Sequence, residues 1–194
     1  MIKLDDQIAQ RRKELEYHPL EDAARARALF SLAVSLGNRF LEGDSIGDIE
    51  EAIGLHQAAL ALRPVGHSDR PSSLIYLAWC LHRRYRRQGT LPDLEEAITL
   101  ARAALDLHPT GHPDRSLSLN NLASCLCDRY NKLAFIADLE EVITLARAAL
   151  DLHPTDHPDR SVSLNNLASC LRDRYNKLAS IADLEEAIDR KSVV

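Results

Sequence analysis

The chain has 194 residues, room for one domain or one short repeat array, with 45% hydrophobic residues, 27% charged residues and a formal net charge of −5. Aromatics are only 5% and glycines 7, while Ala and Leu abound, which points away from a β-rich fold and toward helix. The acidic balance argues against a nucleic-acid partner, no apolar run is long enough for a membrane span, and residues 1–6 hold no apolar signal core, so a cytoplasmic location is expected.

A period of 45 residues organises the chain. Residues 93–137 and 138–182 align without a gap and differ only at Ala97/Val142, Gly111/Asp156, Leu117/Val162, Cys127/Arg172 and Phe135/Ser180. The period extends back to the start. Proline recurs at 19, 64, 109 and 154, arginine at 25, 70, 115 and 160, and leucine at 29, 74, 119 and 164. An aromatic recurs as Phe40, Tyr85, Tyr130 and Tyr175. Such a period defines a stacked array of supersecondary units.

The first predicted helix, 4–17, departs from the pattern: Gln10 and Glu14 stand where later repeats place Leu and Ala, as a solvent-facing cap requires. Helices are then expected at 21–41, 48–62 and 69–87. The next, 93–107, opens on Asp93-Leu-Glu-Glu96, a capping-box pattern. Leu94, Ala97, Ile98, Ala101, Ala104 and Leu105 follow at helical spacing, and Pro109 ends the helix. Helix 113–132 opens at Pro113-Asp114. It carries the stripe Leu119, Leu122, Ala123 and Leu126, extended by Tyr130, with Arg129 and Lys132 at the end the dipole prefers. Helices at 138–152, 158–177 and 183–190 complete the series. The expected division is one array over 1–194: a capping helix in 1–20, helix pairs at 21–62, 63–107 and 108–152, and an incomplete pair at 153–194. Either the array is broken off there, which exposes apolar surface and gives pairing of two copies through the C-terminal end as an expectation, or the short helix 183–190 is a makeshift cap.

Cys80, Cys125 and Cys170 share one repeat position and are read as small core residues; Cys127 is extra. His108 and His112 near Asp114, with the matching His153, His157 and Asp159, offer a ligand set for a metal. They lie in turns and recur with the repeat, so a structural loop is the expected role and no metal or cofactor is assigned. Neither a glycine-rich phosphate loop nor a nucleophile elbow is present, and no catalytic residue is assigned. The basic cluster His82-Arg83-Arg84-Tyr85-Arg86-Arg87 is read as a solvated helix end favouring cations rather than a membrane or nucleic-acid surface.

Leu119, Leu122, Ala123 and Leu126, followed by Val142, Ala146, Ala149 and Pro154, resemble a tetratricopeptide repeat. The usual repeat is about 34 residues, and longer connections here extend it, as in the repeats of kinesin light chains. The string Asp93-Leu-Glu-Glu-Ala-Ile98 with His112-Pro-Asp-Arg-Ser116 also resembles arrays joined to fungal CHAT peptidase or NTPase modules. The resemblance implies an all-α, right-handed solenoid of about nine helices that binds a protein or peptide in a concave groove. The alternatives are a regulatory, self-assembling arm of a larger protein and, least favoured, a metal- or small-molecule-binding enzyme. Carried over position by position, the groove residues are Phe30, Val34, Gly37 and Asn38, then Ile75, Trp79, His82 and Arg83. Asn120, Ser124, Cys127 and Asp128 follow, then Asn165, Ser169, Arg172 and Asp173. Asn side chains suit an extended peptide backbone, and a lone Trp suits an anchor; bracing of loops by the Asn pair and a core position for Trp79 remain open.

Overall fold

Eight helices make up the described chain: α1 (Leu4–Glu16), α2 (Ala23–Gly43), α3 (Ile46–Ala61), α4 (Arg70–Gln88), α5 (Leu91–Asp106), α6 (Arg115–Leu133), α7 (Ile136–Leu152) and α8 (Arg160–Leu178). They are those of a computed structural model, which describes residues 3–18, 23–152 and 160–178 together with 185, 188 and 189. The helix expected at 183–190 thus lies largely outside the described residues. No described helix is long and apolar enough to cross a membrane.

The chain divides into two compact units, residues 1–104 and 105–194. In the first, α1 packs on α2, α2 on α3 and α3 on α4, and α2 also meets α4. Leu32 and Leu36 of α2, Ile49 of α3, and Leu77 and Leu81 of α4 are fully buried, each contributing about 1.5–3 kcal/mol. Ala33, Ala52 and Ala78 are wholly enclosed, and their small side chains fit close backbone approach. In the second unit α6 packs on α7, α7 on α8, and α6 on α8, with Leu119, Leu122, Leu126, Leu139, Ile143 and Leu167 as the core.

Among the described residues, three helix pairs are tied by one recurring ion pair. The Arg39 guanidinium donates to both carboxylate oxygens of Asp48 at 2.8 and 2.7 Å. Arg84 does the same to Asp93 at 2.8 and 2.7 Å, and Arg129 to Asp138 at 2.8 and 2.6 Å. This corrects the capping-box expectation. The helix begins at Leu91, so Asp93 lies inside its first turn, and its buried carboxylate faces Arg84 rather than the orphan amides. The fork geometry gives two charge-assisted bonds per pair.

The connections repeat as well. Gly66 and Gly111 take φ of 91° and 90°, and the amides of His67 and His112 close the turns on Pro64 O and Pro109 O, both at 3.0 Å. Arg25, Arg70 and Arg115, the recurring arginines, donate to the carbonyls of His18, Arg63 and His108 at the end of the preceding helix. These satisfy carbonyls that a helix terminus leaves without partners.

Helices α2, α4 and α6 end on left-handed residues at one repeat position: Asp44 (φ 54°), Gly89 (φ 76°) and Ala134 (φ 56°). Only Gly89 takes this conformation without a Cβ penalty. Ala134→Gly is therefore expected to stabilise the chain by about 1 kcal/mol, read as a higher urea midpoint at unchanged slope. An unchanged or lower midpoint contradicts this account.

Candidate functional site

The residues expected to face a groove lie on α2, α4, α6 and α8, and the structure separates them by accessibility. On α2, Phe30 is half-buried within an aromatic group. Its ring meets His56 of α3 edge-on at 5.2 Å and Tyr76 of α4 at 5.1 Å, and the Arg63 guanidinium lies 4.9 Å from its centroid. Val34 is half-buried, Gly37 buried and Asn38 exposed.

On α4, Ile75 is buried in a cluster with Leu74 and Ala104, flanked by Leu60 and Leu100. His82 is buried too, its ring parallel to that of Tyr85. Trp79 lies half-buried against α2, where a Cβ on Gly37 would come within 3.0 Å of the indole. The Arg83 guanidinium sits 5.1 Å over the Trp79 ring, within cation–π range. Nearby, the ends of α2 and α4 enclose a cleft of about 280 Å³ lined by Phe40, Leu41, Asp44, Arg83, Arg86 and Arg87. Asp44 pairs with Arg87 across it at 2.7 Å.

In the second unit the two asparagines part company. Asn120 is buried and its Oδ1 accepts from Ser163 Oγ of α8 at 2.7 Å, whereas Asn165 is exposed. Ser124 is half-buried and donates to the Asn120 carbonyl at 2.9 Å. Asp128, Ser169 and Asp173 are half-buried, and Arg172 is exposed. Arg172 pairs with Asp173 at 3.6 Å and donates to Ser169 at 3.4 Å. Among the expected groove residues of this unit, the two that are exposed, Asn165 and Arg172, both stand on α8.

His108, His112 and Asp114 bring their ligand atoms within 4.8 Å of one another. Their hydrogen bonds define another task. His112 Nδ1 accepts from the Asp114 amide at 3.1 Å, which leaves the neutral ring's proton on Nε2 and so no lone pair there for a metal. His67 accepts from the Asp69 amide at 3.1 Å in the same way, although the position that His108 fills in the later repeat is here Arg63, a residue with no lone pair to offer. His108 Nδ1 lies 2.8 Å from Ser118 Oγ, as Arg63 donates to Ser73 Oγ at 2.7 Å. Burial, then the neighbouring His112, lowers the His108 pKa. The set works as a turn lock.

Three features escaped sequence reasoning: the Arg–Asp forks, the His56–Phe30–Tyr76 group, and a 3.2 Å approach of Cys127 Sγ to Cys170 Sγ. The first had a signal, since arginine at 39, 84 and 129 and aspartate at 48, 93 and 138 recur nine residues apart.

Residues 72–114 and 116–159 match the tetratricopeptide repeat family model, and the described elements are all helical. Those two segments are tetratricopeptide repeats, and the chain has the α-solenoid fold that such repeats build, a fold that generally serves as a protein-interaction scaffold rather than a catalyst. Its repeats resemble those of kinesin light chains. A crystal structure of a Podosopora anserina protein described as a kinesin light chain with nearly identical TPR-like repeats superposes with a TM-score of 0.62 at 19% identity, over 97% of this chain and 84% of that one. A variant of the same protein gives 0.63 at the same identity and coverage. At that identity the likeness establishes the fold. No curated protein sequence matches the chain.

Proposed function

We propose that the chain is a non-catalytic scaffold that holds a protein or peptide on the first helices of its motifs, α2 and α4 in one unit and α6 and α8 in the other. The observation that carries this reading is Trp79, a large aromatic left half-buried on α4 with a guanidinium over its face. Partly exposed aromatics and arginines of this kind dominate binding energy at interfaces. Asn38, Asn165, Ser169 and Arg172 supply polar contacts around it or on the other unit, and Asp128 and Asp173 supply negative charge. Residues 1–194 are read as one scaffold in the cytoplasm, with neither nucleic acid nor membrane as partner; self-association is a separate property that light scattering across a concentration series measures.

The test compares affinity capture from the source cell by the parent chain, Trp79→Ala, Arg172→Ala and Asn120→Ala. Trp79→Ala is expected to weaken retention of a specific partner by about 30-fold or more, with helix content unchanged. Arg172→Ala reports on the α8 face. Asn120→Ala, whose side chain is committed to Ser163, instead reports on the fold. Equal capture by the parent and Trp79→Ala, with circular dichroism also equal, refutes the Trp79 face as the binding surface.

A further inference from the structure

The thiols of Cys127 on α6 and Cys170 on α8 approach to 3.2 Å, both within the second unit. Cys170 fills the core position that Cys80 and Cys125 fill in other repeats, and all three are buried. Cys127 differs. Its repeat position holds Gly37, His82 and Arg172 elsewhere, so a thiol stands there only on α6. It is also half-buried rather than enclosed. In the first unit the corresponding pair is Gly37 and Cys80, with one thiol. Seven residues earlier, two turns along each helix, Asn120 and Ser163 already tie α6 to α8.

We propose that Cys127 and Cys170 form a redox pair that closes to an intramolecular disulfide between α6 and α8 on exposure to a low-molecular-weight disulfide such as oxidised glutathione. The Cys127 thiolate attacks one sulfur of the oxidant, forming a mixed disulfide and releasing one glutathione thiolate. Cys170 then loses its proton and attacks Cys127 Sγ, forming the internal bond and expelling the second glutathione thiolate. Two electrons pass from the protein thiols to the oxidant, and the two protons end on the released glutathiones. Closure brings the sulfurs from 3.2 Å to about 2.05 Å.

The order of attack follows from the surroundings. A hydrogen bond from Cys170 lowers the Cys127 pKa, against burial and the opposing charges of Asp128 and Asp173. The same bond, then burial, raises that of Cys170. Burial pushes Cys80 and Cys125 up to about 12, which keeps them as thiols and inert. The inference does not depend on the partner-binding reading.

The test incubates the reduced full chain with oxidised glutathione and then blocks remaining thiols in denaturant. Two of the four cysteines are expected to escape blocking, and peptide mapping joins the Cys127 peptide to the Cys170 peptide. The apparent Tm rises by roughly 5–15 °C, because the bond closes a long loop, and dithiothreitol reverses it. Cys170→Ser halts at a glutathione adduct on Cys127, and Cys127→Ser gives no adduct at Cys170. Four blocked thiols in the parent chain, or glutathionylated Cys127 as its end product, overturns the proposal, and this reading needs no variant to fold.

Discussion

Asp138→Asn is expected to lower stability by about 3 kcal/mol, because it strips the charge from the most enclosed of the three Arg–Asp forks. The Arg129 and Asp138 side chains are only 16% and 4% exposed. Removing the carboxylate charge leaves the guanidinium half-desolvated beside a neutral amide, whose NH2 faces donors rather than acceptors if it turns. Arg84–Asp93, at 26% and 7% exposed, should lose somewhat less, and Arg39–Asp48, at 33% and 10%, only about 1 kcal/mol. Water reaches the Arg39 guanidinium, which Asp5 also contacts at 2.9 Å. Urea unfolding of the three single variants checks the order; equal losses at all three would falsify burial as the controlling factor. The cost is that of breaking a pair rather than its net worth, so replacing Arg129 with Met and Asp138 with Leu together should recover most of the loss.

The forks also show how far recurrence within one chain can be read. Arg and Asp recur nine residues apart in three repeats, but the pattern around Asp93 also matches a capping box, the reading that sequence alone favours. Helix register decided between them: the chain turns helical two residues earlier, at Leu91, which carries the carboxylate past the cap and toward Arg84. Where periodicity alone fixes the answer, as for the stripes of Leu29, Leu32 and Leu36 or Leu119, Leu122 and Leu126, sequence and structure coincide. The face of a helix is less legible. Ile75 and Asn120 share the repeat position of Asn165, and His82 that of Arg172, yet the first three are buried and Asn165 and Arg172 are exposed. Identity at a repeat position cannot fix exposure, because the neighbouring helix supplies different side chains each time. Asn120 is buried against Ser163, and Trp79 can lie on α2 because Gly37 has no Cβ there.

The first unit also holds a pH-sensitive position. His56 stands where the other repeats place Ala101 and Ala146, and it is wholly buried among α2, α3 and α4. Phe30 meets its ring at 5.2 Å, Tyr76 at 5.9 Å, and neither ring nitrogen has a hydrogen-bond partner. Burial, then the charge of Arg63, brings its pKa down from 6.5 to about 4. The unfolded chain therefore binds a proton near pH 6.5 that the folded chain accepts only near pH 4. Between these values the unfolded state carries more protons, so stability is complete above about pH 6.5 and falls as pH drops, by about 3 kcal/mol at pH 4. Carboxylates elsewhere add their own acid dependence, which a matched variant removes by difference. His56→Leu keeps apolar volume and eliminates two nitrogens that lack partners, so at pH 7 it should equal or exceed the parent. At pH 4.5 its advantage should grow by about 2–3 kcal/mol, read from urea unfolding at the two pH values. Parallel pH profiles for the two proteins would mean that the folded chain protonates His56 as readily as the unfolded one, and that the enclosure by Phe30, Tyr76 and Arg63 does not hold the ring neutral.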